Sequence, residues 1–233
     1  MSSVLAAYGV RKTYRSGDGS LVEVLNQVDL EVHRGEVVAI VGASGAGKST
    51  LLHLLGALDE PSAGDIKLDG ASYASMTAHE RNVVRNRDIG FVFQFHHLLR
   101  EFSALENVMM PLLIAGHDDA HARGRAEEML AAVELAGRMT HRPSELSGGE
   151  QQRCAVARAL VHDPKVVLAD EPSGNLDHLH SERLHALLFE LTRALETVLV
   201  VVTHNRHLAE RADRIVLLHN GRLQAAGSAE VAP

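Results

Sequence analysis

The chain has 233 residues, 45% of them hydrophobic, and a net charge of −7 with its 15 histidines counted as neutral. That length suits one large domain, or a domain with an insert, and the acidic balance argues against broad electrostatic binding to nucleic acid while leaving room for a local polyphosphate site. The single cysteine, Cys154, excludes an intramolecular disulfide framework and disfavours a cysteine-based zinc site.

At the N-terminus, MSSVLAAYGVRKTY has no basic stretch before its apolar part, which is too short for a secretion signal. LVEVLNQVDLEV (21–32) alternates apolar and polar residues and predicts a half-buried strand. GEVVAIV (35–41) is a continuous apolar run, the pattern of a strand covered on both faces, and it leads through GASGAGKST into the helical pattern LLHLLGAL. IGFVF (89–93) predicts another buried strand. From 104 the pattern turns helical, in ALENVMMPLLIAG and then HARGRAEEMLAAVELAG. SELSGGEQQRCAVARALV sets Ser147 and two glycines ahead of a further helix, in which Cys154 reads as a small packed residue. KVVLAD (165–170), TVLVVVT (197–203) and RIVLL (214–218) read as strands, with a helix over about 179–195 between the first two. No apolar run approaches the roughly 20 residues of a membrane-spanning helix, so work at a membrane would need another chain to cross it. The order predicts a mostly parallel α/β core with a helical insert at about 95–163.

GASGAGKS (42–49) fits G-x-x-x-x-G-K-[ST], follows a predicted strand and opens a predicted helix, the context the motif requires. The run Gly42, Ala43, Ser44, Gly45, Ala46, Gly47, Lys48, Ser49, Thr50 is therefore expected to wrap a nucleoside triphosphate. Its glycines free backbone N–H groups to turn inward, and the helix N-terminus adds a positive dipole end. Lys48 is expected to reach the β- and γ-phosphates, and Ser49 to offer its hydroxyl to Mg²⁺. VVLADE (166–171) carries Asp170 to the carboxyl end of a central strand, to hold Mg²⁺ through water, with Glu171 next to it as general base. These features define a P-loop nucleotide enzyme, and a nucleotide kinase would share them.

LSGGEQQR (146–153) narrows the choice, because a serine and two glycines at a helix start form a second anion site, apart from the P-loop. With it the sequence resembles the ATP-binding cassette (ABC) ATPases along nearly the whole chain. The resemblance implies a RecA-like P-loop NTPase core, mostly parallel, with an antiparallel β subdomain over 1–94 and 164–233, and a helical subdomain with the signature motif over 95–163. It implies ATP and Mg²⁺, and a head-to-tail homodimer in which Ser147, Gly148 and Gly149 contact the γ-phosphate held by the partner chain. Tyr14 matches the adenine-stacking aromatic; the alternative is a buried tyrosine at a strand end. Gln94 matches the glutamine that touches Mg²⁺ and the attacking water. Asp177, in SGNLD, matches the acidic end of the loop that crosses the dimer interface, and His204 matches the histidine at the γ-phosphate. With Glu171 and His204 both present, a homodimer would have two complete hydrolytic sites.

QFHHLLREFSALENVMMP (94–111) follows that glutamine, and the family resemblance makes it the surface that receives a membrane subunit. Phe95, Leu98, Leu99, Phe102, Met109 and Met110 are expected to line an apolar groove; the alternative is that they fill the insert's core. His96 and His97 are adjacent, so they do not share a face, and no nearby ligand completes a metal set. KSTLLHLLGALDEPSAGDI, FQFHHLLREFSALENVMMPLLI, HRPSELSGGEQQR and LADEPSGNLD together resemble the ATP-binding subunits of lipoprotein-releasing (Lol) transporters. That resemblance implies a translocase ATPase on the cytoplasmic face of a Gram-negative inner membrane, beneath two integral membrane subunits, driving lipoproteins toward the outer membrane. The alternative is a related macrolide exporter or a cell-division complex that regulates cell-wall hydrolases, or a module that signals more than it transports. DNA-repair and ribosome-associated relatives carry a coiled coil or two cassettes, and this chain has neither. It departs from the usual Lol wording at Gln151, where arginine is usual, and at Asn205, where aspartate is common.

Overall fold

The computed structural model describes residues 3–225; residues 1, 2 and 226–233, the ends of the expected core, lie outside the described residues. Strands β1 (Leu5–Arg15), β2 (Leu21–Val32) and β3 (Val37–Val41) come first, followed by α1 (Lys48–Leu55), β4 (Ala63–Leu68), β5 (Ala71–Ser72), α2 (Ala78–Arg87) and β6 (Ile89–Phe93). Next are α3 (Ala104–Ile114), α4 (Asp119–Ala132), α5 (Gly148–Leu160), β7 (Val166–Asp170) and α6 (His178–Ala194). The last are β8 (Val198–Val202), α7 (Arg206–Glu210), β9 (Arg214–His219) and β10 (Arg222–Ala225). The chain forms two compact units, residues 3–85 with 198–225, and residues 86–197.

In the first unit, β1, β2, β4 and β5 form an antiparallel sheet in the order β2-β1-β4-β5. Strand β3 is buried at every position, as its unbroken apolar run requires. It lies parallel to β8 on one side and to β9 on the other, with Ile40 opposite Val202 and Val41 opposite Leu217. β10 adds an antiparallel edge to β9. Leu51, Leu52, Leu54 and Leu55 of α1 are buried, so the helix that opens at the P-loop lysine is anchored by its second turn.

In the second unit, β6 and β7 run parallel, with Phe93 opposite Asp170 at their carboxyl ends. The small and aliphatic faces of α3, α4 and α5 form its helical core, through residues such as Val108, Ala126, Leu130 and Ala155. Helix α5 lies directly on β6: a Cβ on Gly90 would sit 2.2 Å from the Ala159 carbonyl oxygen, so only glycine permits this approach. Cys154 is fully buried in α5, where loss of solvent pushes its thiol up to about 12. It is an inert packed residue. No described helix is long and apolar enough to cross a membrane. The α/β architecture, with parallel central strands, an antiparallel sheet and a helical bundle, is that of a P-loop NTPase.

Candidate functional site

The first unit carries the phosphate-binding loop. It leaves the carboxyl end of β3 at Gly42, where a Cβ would lie 2.4 Å from the Leu218 carbonyl oxygen. Gly45 and Gly47 take φ values of +78° and +98°, so the chain curls inward before α1 begins. No acidic residue stands in the first turn of α1, and Lys48 Nζ turns back to donate to the carbonyl oxygens of Gly42 (2.8 Å) and Ala43 (3.0 Å). The residues thus fit a polyphosphate: backbone amides of an inward-curled loop, a helix N-terminus and an ammonium group belong to one short stretch, with no carboxylate in the first turn of the helix. Ser49 and Thr50 follow in the first turn of α1.

Two other expected site residues belong to this unit. Tyr14, near the end of β1, is 40% exposed, and its hydroxyl donates to Asp59 Oδ2 at 2.8 Å, so it is not the buried tyrosine of the alternative. His204 follows β8, and since β8 and β3 are parallel neighbours it stands at the same edge of this sheet as the phosphate loop. Asn205 caps α7, its Oδ1 accepting from Leu208 N–H at 3.0 Å. Asparagine caps as well as aspartate, so this departure from the usual wording leaves the turn intact.

The second unit carries the acidic strand end and the signature helix. Val166 to Ala169 are buried and deliver Asp170 to the strand's end, half-buried, with Glu171 next in a left-handed conformation (φ +46°). Gln94 Nε2 donates to Asn175 Oδ1 (3.3 Å), and Asn175 Nδ2 donates back to the Gln94 carbonyl oxygen (3.0 Å). A Cβ on Gly174 would come within 2.8 Å of Gln94 Nε2. The glutamine is thus fastened to the loop that ends at Asp177.

Ser147 is the N-cap of α5, its Oγ accepting from Glu150 N–H (3.3 Å) while Glu150 Oε2 accepts from Ser147 N–H (2.8 Å). A Cβ on Gly149 would meet His180 Cδ2 at 3.2 Å, and His180 Nδ1 lies 2.6 Å from Asp177 Oδ2. The signature motif and the acidic end of the loop therefore share one histidine. Gln151, the other departure, donates from Nε2 to the carbonyl oxygens of Pro143 (2.7 Å) and Leu146 (2.9 Å), tying down the approach to the motif.

The hydrogen bonds from Ser147, helped by Arg138, hold the Glu150 carboxyl down to about 2, from an ordinary 4.5. A carboxyl depressed on folding stabilises the native state fully above its ordinary value and loses that effect as pH falls toward its folded value. Glu150→Gln should therefore lower the melting temperature at neutral pH, with the deficit closing between pH 4.5 and about 2. Melting curves across that range check this; a deficit independent of pH would show that the carboxylate is not the stabilising form.

The stretch after Gln94 forms an irregular loop held from behind. Gln152 Nε2 donates to the Phe93 carbonyl oxygen at 2.8 Å. The Arg158 guanidinium donates to the carbonyl oxygens of both His96 and His97, each at 2.8 Å. Asn107, fully buried, accepts from Leu99 N–H at 2.7 Å and donates to the carbonyl oxygens of Leu99, Phe102 and Ser103. The expected groove is corrected in part: Leu98 (7% exposed) and Met109 (3%) are core residues, whereas Phe95 (64%), Leu99 (41%) and Phe102 (37%) are presented to solvent. The two histidines contribute their backbone to this scaffold. Burial and the nearby Arg158, His97 and Arg100 push the His96 imidazole below its usual range.

A phosphate loop at the end of a buried parallel strand and an acidic strand end on a second such strand define a P-loop nucleoside-triphosphatase. Residues 25–174 match the ABC transporter family model, and the chain belongs to that family; it is an ABC-type ATPase. Among its relatives is the lipoprotein-releasing system ATP-binding protein LolD of Xanthomonas campestris, 54% identical over 96% of this chain and 93% of that one. The LolD proteins of Xylella fastidiosa (53%, covering 98% and 95%) and Legionella pneumophila (51%, covering 95% and 97%) are similar. Among solved structures, a dimeric bacterial ABC transporter cassette superposes with a TM-score of 0.87 at 38% identity, covering 94% of this chain and 96% of that one. A dimeric cassette in a post-hydrolysis state with ADP and Pi gives 0.86 at the same identity and coverage.

Proposed function

We propose that this chain is the ATP-hydrolysing subunit of a lipoprotein-releasing ABC transporter, acting as a head-to-tail pair beneath two integral membrane subunits at the cytoplasmic face of an inner membrane. The observation that carries this reading is its identity of more than half with LolD proteins along nearly the whole length of both. The roles follow from chemistry. Gly42 to Thr50 cradle the triphosphate, Lys48 balances the charge of the β- and γ-phosphates, and Tyr14 stacks on adenine. Ser49, Gln94 and Asp170 are oxygen donors suited to Mg²⁺, which when bound neutralises phosphate charge. Glu171 takes the proton of the attacking water, and His204 contacts the γ-phosphate. Ser147, Gly148 and Gly149, with Asp177, complete the partner chain's site. In this reading the core comprises 1–94 and 164–233, and 95–163 is the helical subdomain.

The same helix that begins at Ser147 holds the carbonyl oxygens of Phe93, His96 and His97 through Gln152 and Arg158. A displacement of the signature end would therefore carry the backbone on either side of Phe95 with it, the transmission a transport ATPase needs. The test is reconstitution: this chain is combined with candidate lipoprotein-releasing membrane subunits in proteoliposomes holding an acylated lipoprotein, and given ATP and a periplasmic carrier. ATP-dependent transfer to the carrier supports the reading; a stable complex that hydrolyses ATP and releases nothing refutes lipoprotein release. In the same assay, Phe95→Ser with Leu99→Ser should leave the ATPase rate of the isolated chain within about twofold, since exposed side chains contribute little to the fold. Release should fall about tenfold or more, as expected of apolar anchors at an interface. Parallel loss of both activities would assign these side chains to the fold instead of docking.

A further inference from the structure

Lys12 is a charged residue only 8% exposed, one turn of the strand pleat before Tyr14 on β1. Burying an ammonium group is costly unless it is paired, and this one is fully engaged. Its Nζ donates to Asp59 Oδ1 and to the Glu60 carbonyl oxygen, both at 2.7 Å, and lies 4.8 Å from the centroid of the Tyr14 ring. The other oxygen of Asp59 accepts the Tyr14 hydroxyl at 2.8 Å. Asp59 is itself fixed at the C-terminal end of α1: Leu58 and Asp59 donate their N–H groups to the His53 carbonyl oxygen, at 2.9 and 3.3 Å. That helix begins at Lys48 of the phosphate loop.

One carboxylate thus ties the tyrosine to the helix whose other end faces the phosphates. One ammonium group lies over a face of the ring, and the tyrosine as a whole is 40% exposed, leaving ring surface for a base. We infer that Lys12 and Asp59 are positioning residues for the nucleotide base: they fix which face of Tyr14 stacks and how far that face stands from the phosphate loop. The inference rests on the assignment of Tyr14 to adenine. A preorganised ring spares the base the ordering cost of a mobile aromatic, so the effect falls on affinity for the base and not on phosphate capture.

Steady-state ATPase kinetics of Lys12→Met, Lys12→Arg, Asp59→Asn and Tyr14→Ala test it, with inorganic tripolyphosphate as a base-free competitive inhibitor. Tyr14→Ala should raise KM for ATP about tenfold, the usual worth of one base–aromatic stack. Lys12→Met and Asp59→Asn should each raise it about threefold to fivefold with kcat within about twofold, and Lys12→Arg should restore most of the loss. The inhibition constant of tripolyphosphate should stay within about twofold in all of them. An unchanged KM in Tyr14→Ala would remove the adenine assignment itself. A raised KM there, with Lys12→Met unchanged or with ATP and tripolyphosphate weakened alike, would overturn the inference alone. If Lys12→Met fails to fold, Asp59→Asn and Lys12→Arg carry the same comparison.

Discussion

Glu171→Gln is expected to lower ATP turnover by roughly 10²–10⁴-fold while leaving nucleotide binding intact, the usual worth of a general base. The substitution is nearly isosteric, so under the proposed role it removes the proton acceptor and little else. The backbone at Glu171 is in the left-handed region (φ +46°), with Gly174 N–H donating to its carbonyl oxygen at 3.0 Å. A non-glycine residue there carries a strain of order 1 kcal/mol, held by that turn, which fixes where the carboxylate stands beyond the strand end. Glutamine accepts the same backbone. If hydrolysis is what releases the closed pair, the variant should accumulate as an ATP-bound dimer, read by light scattering with MgATP. Turnover within a few-fold of the native chain would assign the base elsewhere.

The parts of this molecule legible from sequence are those where one physical demand dominates. VVAIV, VVLAD and VLVVV had to be covered on both faces, and they are. The phosphate loop announces itself because a lysine and spaced glycines between a strand and a helix serve few other purposes. Ser147, followed three residues later by Glu150, signals a helix start whatever lies beyond it. Helix α2 buries no residue and so has no apolar period that sequence could display. β4 and β5 are short and mixed, and their register is set by pairing with β1.

Tertiary hydrogen bonds are the other hidden layer. Asn107 sits in an apolar helical run and reads as a flaw in the pattern, yet it is the bracket of the loop before it. That polar residue in an otherwise apolar stretch is the one signal that was available. Arg158 and Gln152 look like an ordinary polar helix face; they act on the backbone of residues some 60 positions away, which no local pattern encodes. The expected groove mixed core and surface because Phe95, Leu98 and Leu99 lie on an irregular loop with a left-handed residue at His97 (φ +47°), where no regular period sorts buried from exposed side chains.

The sharpest test of the paired arrangement uses two inactive chains. Lys48→Ala removes the ammonium group from the phosphate loop, and Ser147→Arg fills the signature helix start with a bulky cation. Each alone should reduce ATPase activity by about 10²-fold or more, since the proposed roles put both where charge on the transferring phosphate must be stabilised. In a head-to-tail pair, one phosphate loop works with the partner's signature motif. A mixed dimer then contains one site with both defects and one with neither. At equal concentrations about half the dimers are mixed, each with one intact site of two, so about a quarter of native activity should return if the sites act independently. Titrating one variant into the other at fixed total protein gives a maximum at the equal ratio. If each phosphate loop instead used the signature motif of its own chain, every site would carry a defect and the mixture would stay as inactive as its components. Recovery therefore distinguishes a site completed by a second copy from one that a single chain completes.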